Sequence, residues 1–211
     1  MKKIFLTTAT ISLFSLPALA VDAQFFIGGN YSGALLSYSS EAEEDMHEVV
    51  YSIPDFHNVL GVDAGLKFGT NQKGGFSFGG SIAYDYAFDT EAVVMYPYSE
   101  YVSEMSMGFS ALSVMADAYI NMDEKASLFI GVGYANVNQR FEAKATDVAV
   151  KYGFSSISQE EDGGALVFKM GFTVDITNGF GLNTTIRYFV PTGDSDIKGA
   201  FLWGAGLRYT F

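Results

Sequence analysis

Large apolar residues alternate with small or polar residues along most of the chain. In residues 76–88, one parity holds mostly phenylalanine, isoleucine and tyrosine, while the other holds serine, glycine, alanine and Asp85. A period of two residues is typical of a β-strand whose two faces meet different environments. Such runs cover residues 25–35, 58–70, 76–88, 112–120, 127–135, 166–176, 182–190 and 201–211. Each of these runs is long enough for a tilted transmembrane strand, which needs roughly 9–11 residues.

The fourth run is irregular at its start. Upstream of Ser110 the apolar residues Met105, Met107 and Phe109 occupy the parity that carries Asp117 farther along. An extra residue in the strand would reverse the parity in this way, so we expect a β-bulge near Ser110.

The connections between the runs alternate in length. Short turns are expected at residues 70–75, 121–126 and 177–180, and longer connections at residues 39–57, 89–104, 142–163 and 191–198. Short turns at one end and long loops at the other are typical of outer-membrane barrels. We therefore predict an all-β fold, an eight-stranded antiparallel up-and-down transmembrane β-barrel.

The parity opposite the large apolar residues carries balanced charge. These predicted interior charges are four acids and four bases, namely Asp63, Asp85, Asp117, Asp175, Lys67, Lys169, Arg187 and Arg208. An enclosed set must balance, because each unpaired buried charge costs several kcal/mol. The balance favours a membrane barrel with its apolar face toward lipid. The alternative is a soluble lipocalin-like barrel, in which the large apolar residues would face inward.

The first twenty residues have the pattern of an export signal. Lys2 and Lys3 precede an apolar stretch at residues 4–16, and residues 18–20 (Ala-Leu-Ala) offer a cleavage site. We predict a cleaved signal peptide over residues 1–20 and a barrel domain over residues 21–211. The apolar stretch is shorter than the ~20 residues of a transmembrane helix.

Composition excludes several function classes. The formal net charge is −12, which opposes nucleic-acid binding because that function needs a basic surface. The chain has no cysteine, so disulfides, thiolate metal sites and cysteine nucleophiles are excluded.

The sequence gives little support for catalysis or metal binding. Its two histidines, His47 and His57, share a long loop with Ser52 and Glu48, but no second catalytic motif accompanies them. The acids of that loop are Glu41, Glu43, Glu44, Asp45 and Glu48. They lack the spacing and the glycine of a calcium-binding loop. We expect solvated loop residues here, no catalytic residue, no metal and no cofactor.

The long loops carry most of the charge imbalance and several exposed aromatics. More than half of the 24 acidic residues lie there, against only Lys144, Lys151 and Lys198. The second loop adds the candidate contact residues Met95, Tyr96, Tyr98 and Tyr101. Such side chains are typical anchors for a protein partner, although they could instead pack on neighbouring loops.

Three segments resemble a known family. Residues 127–135 (SLFIGVGYA), 182–194 and 207–211 (LRYTF) are similar to strands of the small OmpA-like and opacity-type outer-membrane β-barrel proteins. The resemblance implies that the end of the chain, with Tyr209 and Phe211, is a signal read by the barrel assembly machinery. It also implies a location in the bacterial outer membrane, and we expect no appended periplasmic domain.

These observations lead to one functional prediction and two alternatives. We expect a non-enzymatic outer-membrane surface protein whose acidic loops serve structural, adhesion or antigen-type interactions, with membrane lipid and host or surface proteins as partners. The first alternative is a narrow porin-like channel, although eight strands leave an interior just filled by side chains. The second is a lipid-modifying enzyme that uses the loop histidines.

Overall fold

The computed structural model describes residues 23–53, 55–177, 179–193 and 197–211. Its strands are β1 (Ala23–Tyr38), β2 (Phe56–Gly69), β3 (Phe76–Ala87), β4 (Thr90–Ala92), β5 (Val102–Asn121), β6 (Ala126–Ala145), β7 (Ile157–Thr177), β8 (Phe180–Pro191) and β9 (Ile197–Thr210). Its α-helices are α1 (Ser40–Val49) and α2 (Asp147–Lys151), and a 3-10 turn spans Tyr98–Glu100. The predicted signal peptide lies outside the described residues.

The strands form one closed antiparallel sheet. Each long strand pairs with its sequence neighbour, β1 pairs with β9, and β3 pairs with β5, which closes the ring. Eight strands therefore build the wall, as predicted, while the short strand β4 only extends the edge of β5. Where all eight strands pair, closure leaves no free sheet edge, and this suits a barrel that lies in lipid.

The large apolar face points outward. Phe78 is 65% exposed, and Leu166 and Trp203 are exposed as well, whereas Asp85 on the opposite face is fully buried. A soluble barrel would show the reverse arrangement. The predicted orientation is confirmed, with apolar side chains outside and charged side chains inside.

An inner apolar layer fills the barrel toward the end that carries the long loops. Its larger members come from six strands and are Leu36, Val59, Phe109, Val167, Phe189 and Leu202, all of them buried. This layer explains the parity reversal upstream of Ser110. The β5–β6 ladder runs without a register shift from Glu104 to Asn121, so the predicted bulge near Ser110 is wrong. Met105 and Phe109 simply face an interior that is apolar at this level.

Three strands extend well beyond the apolar band. β5, β6 and β7 have 20, 20 and 21 residues, about twice what a membrane crossing needs. On β6 the outward residues are apolar from Leu128 to Tyr134 and polar from Asn136 onward. The third long connection is therefore shorter than predicted, because most of residues 142–163 belongs to the paired strands and only residues 146–156 link them.

The first long connection folds into α1. Ser39 caps this helix by accepting a hydrogen bond from Ala42 N at 3.1 Å, and Glu41 and Glu43 lie in the first turn, where the helix dipole favours them. Ala42 joins the inner apolar layer and Met46 packs against it. Helix α1 therefore packs on the long-loop end of the barrel. No helix among the described residues is long and apolar enough to cross a membrane.

Candidate functional site

Two ion pairs cross the middle of the barrel. Lys169 Nζ lies 2.7 Å from Asp117 Oδ1 and donates to Ser81 Oγ at 2.8 Å, while Ser81 Oγ donates to Asp117 Oδ2 at 2.7 Å. Arg187 pairs with Asp85, and both side chains are nearly inaccessible. Each pair joins strands that are not neighbours, so the pairs cross-link the wall through its interior.

The remaining interior bases are held by neutral groups. Lys67 Nζ donates to Asn71 Oδ1 at 2.9 Å and to Asn121 Oδ1 at 3.0 Å. The guanidinium of Arg208 lies 3.5 Å from the centre of the Phe26 ring, which is a cation–π contact. Both residues lie toward the short-turn end of the barrel.

The remaining interior acids depart from the expected pairing. Asp63 is partly buried, and its Oδ1 has no hydrogen-bond partner among the described residues. Asp175 is exposed, which corrects the prediction that all eight charges are enclosed. The reason is its place near the end of β7, where the barrel opens to solvent at the short-turn end. Alternation along the strand predicts which face Asp175 occupies, but it does not predict how deep in the barrel the residue lies.

Small residues on β6 and β2 make room for the ion pairs. A Cβ on Gly131 would lie 2.3 Å from Asp117 Oδ1, and a Cβ on Gly61 would lie 2.6 Å from Asp85 Oδ1. Real Cβ atoms do not approach other atoms so closely, so any side chain here would displace a buried carboxylate.

The middle of the barrel is nearly filled. A cavity of about 20 Å³ lies among Asp63, Asn183, Lys169, Arg187 and Arg208, which is about the room that one water molecule requires. Toward the long-loop end, the inner apolar layer packs across the barrel. Among the described residues, side chains therefore occupy the path that a wide pore would need.

The two histidines lie in different environments. His57 is fully buried at the start of β2, where its Nδ1 lies 3.0 Å from Thr90 Oγ1 and 3.2 Å from the carbonyl of Phe88. His47 is exposed on α1, as is the neighbouring acid Glu48. A buried imidazole packed edge-on against Phe109 cannot meet a lipid substrate from outside. The described residues also contain no group of three or more acids and histidines arranged to hold a metal.

The candidate contact residues of the second loop do not all behave alike. Tyr96 is 74% exposed, and Tyr98 is exposed beside it, whereas Met95 is partly buried. Tyr101 packs on Phe154 of the third loop with ring centroids 6.3 Å apart. Both interpretations made from the sequence therefore apply: Tyr96 and Tyr98 are exposed to solvent, and Tyr101 contacts a neighbouring loop while it is as exposed as Tyr98.

Hydrogen bonds to backbone carbonyls also join the second and third loops. Thr146 N donates to the carbonyl of Tyr101 at 2.9 Å, and Thr146 Oγ1 donates to the carbonyl of Glu100 at 2.6 Å. Tyr152 is as exposed as Tyr96, and it extends the aromatic surface onto the third loop. Sequence reasoning missed this extension, although the aromatic residues at 152 and 154 were a visible signal.

The last residues of the chain form an aromatic cluster at the short-turn end. The ring of Phe211 lies 4.8 Å from that of Tyr209 and 5.4 Å from that of Phe25, and Phe211 N donates to the carbonyl of Phe25 at 2.8 Å. Phe211 is 69% exposed, so its side chain remains accessible on the outside of the wall.

A family model matches nearly the whole chain. The outer membrane protein beta-barrel domain aligns with residues 6–211, which include every described strand. The chain belongs to this family. As a family member it is a protein of the bacterial outer membrane, and its exposed apolar belt lies in lipid. Among curated protein sequences, none matches this chain.

Solved structures share the fold at low sequence identity. Ail, the attachment invasion locus protein of Yersinia pestis, has 16% identity and a TM-score of 0.56 over 90% of this chain and 99% of its own. OprG of Pseudomonas aeruginosa has 12% identity and a TM-score of 0.55 over 90% and 96%. Neisserial surface protein A has 12% identity and a TM-score of 0.52 over 90% and 99%. These likenesses support the β-barrel fold of this family member.

Proposed function

We propose that this outer-membrane barrel is a non-enzymatic surface protein whose long-loop face binds a protein partner. The observation that carries the proposal is the solvent-exposed aromatic surface of the second and third loops, formed by Tyr96, Tyr98, Tyr152 and Phe154. Tyrosine-rich patches of this kind supply much of the energy in protein interfaces. The long loops of outer-membrane barrels face outward, so the patch would meet molecules from outside the cell.

Charge favours a basic partner. The described residues of the first three long loops carry many acids, among them the five on α1, and few lysines. One lysine is already engaged, because Lys144 Nζ donates to Glu104 Oε1 at 2.7 Å. This hydrogen bond raises the pKa of Lys144 above its ordinary value. The acidic field would attract a basic surface over about a Debye length and repel an acidic one.

The acidic loops also distinguish this chain from a structural neighbour. Ail of Yersinia pestis has been solved in complex with the heparin analogue sucrose octasulfate. A highly sulfated ligand needs basic side chains, whereas the loops here are predominantly acidic. We therefore expect sucrose octasulfate to leave this protein unbound.

The proposal is tested by the attachment of bacteria that display the protein. Immobilised basic extracellular proteins are compared with acidic proteins of similar size, in low and high salt. We expect attachment to the basic set, and about tenfold weaker attachment after Tyr96→Ala with Tyr98→Ala. The matched control is Tyr96→Phe with Tyr98→Phe, which keeps the rings. Equal attachment by the alanine variant would rule out a role for this patch.

A further inference from the structure

A cavity of about 400 Å³ lies between α1 and the long-loop ends of the barrel strands. Small-molecule sites have volumes of about 300–1,000 Å³ and largely apolar walls, so the size is appropriate. The apolar part of its wall comes from five elements, namely Leu36, Met46, Met107, Phe141 and Ile197. Helix α1 thus forms one side of a cavity that is wide enough for a ligand.

A narrower apolar slot adjoins this cavity. The slot has a volume of about 60 Å³ and shares Leu36, Gln139 and Ile197 with the larger space. Phe109 and Phe189 of the inner apolar layer also line it, together with glycines of β7 such as Gly163. A ligand that extends from the cavity into the slot would therefore place an apolar end against the core of the barrel.

The charged part of the cavity wall is mostly acidic. Glu41 and Asp45 are four residues apart on α1, so they lie on one face of the helix, and Glu161 contributes from β7. The four ion pairs among the described residues include none of these three carboxylates. The one basic residue of the wall, Arg140, lies 3.0 Å from Asp89 Oδ1.

We propose that this cavity binds a small amphipathic amine, with its ammonium group beside Glu41 and Asp45 of α1 and its apolar part toward the slot. An ammonium group would donate to carboxylates that have no basic partner of their own. An anionic analogue would meet carboxylates at the same place, and a neutral alcohol would lose the charge attraction. The site thus distinguishes ligands by the sign of their charge.

Calorimetric titration of the full chain in lipid nanodiscs tests the proposal. Three probes share a phenyl ring and a two-carbon linker: 2-phenylethylamine, 2-phenylethanol and 3-phenylpropionate. We expect saturable binding of the amine, weaker binding of the alcohol and no binding of the carboxylate. Empty nanodiscs provide the correction for partition into lipid. Equal heats for all three probes, or no saturation with the amine, would overturn the proposal.

Two charge variants localise the site on α1. Glu41→Gln with Asp45→Asn removes two wall carboxylates, and we expect about tenfold weaker binding of 2-phenylethylamine. Glu43→Gln with Glu48→Gln changes the net charge equally on the same helix but alters no residue of the cavity wall. We expect this control to bind within about twofold of the parent protein. Equal weakening by both variants would show only a general charge effect and would refute the site.

A third variant tests the slot. A Cβ on Gly163 would meet no other atom within 4 Å, so the Cβ of Gly163→Leu can enter at the slot without displacing the wall. We expect the leucine to fill the slot and weaken 2-phenylethylamine while leaving methylamine unaffected. Heat-modifiable migration on gels confirms that each variant is folded. Unchanged binding of 2-phenylethylamine by folded Gly163→Leu would overturn the placement of its apolar end.

Discussion

Lys169 Nζ lies 2.7 Å from Asp117 Oδ1 even though strand β6 separates the two strands that carry them. Gly131 is the β6 residue paired with both, opposite Asp117 on one side and Lys169 on the other. The two side chains meet over the position where any other residue would have a Cβ. The ion pair and the glycine are therefore one structural unit.

A side chain at residue 131 should destabilise the barrel. In Gly131→Ala the new Cβ would lie 2.3 Å from Asp117 Oδ1 and 3.1 Å from Lys169 Cε, so the pair would have to move. We expect a loss of about 1–3 kcal/mol in the free energy of unfolding. Urea unfolding followed by the fluorescence of Trp203, the single tryptophan, measures it. Gly80→Ala is the control, because its Cβ would have only an ordinary 3.5 Å contact with the Met115 carbonyl.

The ion pair itself should show strong coupling between its partners. Lys169→Met leaves Asp117 buried with no cation, and we expect it to lower the free energy of unfolding by about 3 kcal/mol. The double variant Lys169→Met with Asp117→Leu removes both charges, and it should regain most of that loss. The same urea titration of Asp117→Leu alone completes the double-mutant cycle. Additive losses would show that the two residues act independently.

The protein should not form a stable large channel. Ion pairs occupy the middle of the barrel, and side chains of the inner apolar layer pack across it toward the long-loop end. We expect no reproducible conductance steps in planar bilayers, where a porin at equal protein concentration serves as the positive control. Large steps that recur in separate preparations would instead support the porin-like alternative.

The end of the chain should matter for assembly more than for stability. Phe211 is exposed outside the wall and contacts Phe25 and Tyr209 only at the rim. If it forms an assembly signal, Phe211→Ala should lower the amount of folded barrel in the outer membrane severalfold. Spontaneous refolding of the same variant into lipid vesicles should remain near the parent level. A matching loss in both measurements would indicate a stability effect instead.

The membrane part of the fold was predictable because lipid imposes a simple rule. Most outward residues in the apolar band are apolar, so residues such as Phe78 and Leu166 reveal the strands through a period of two. The interior ion pairs followed from the same parity, since Asp85 and Arg187 lie on the opposite face. Which acid pairs with which base was not predictable from the sequence. The pairing depends on the register of the strands and on the space left by Gly131 and Gly61.

The long-loop end obeys other rules, and there the sequence was misread. A polar interior was expected along the whole length of the barrel. Inward-facing apolar residues such as Met105 and Phe109 therefore suggested a β-bulge, which does not form. Helix α1 was taken for an acidic loop. Its signals were nevertheless present, because Ser39 is a good N-cap and Ala42 and Met46 are spaced by one helical turn.

The paired extension of β6 and β7 determines how far the third loop stands from the bilayer. Ten residues of β6 follow the apolar band, at positions 136–145, and with a strand tilt of about 40° they rise about 25 Å. Helix α2 thus lies at the far end of a paired extension, well beyond the apolar band. Bulky molecules would meet the end of this extension first, while only small solutes would reach the barrel wall at its base.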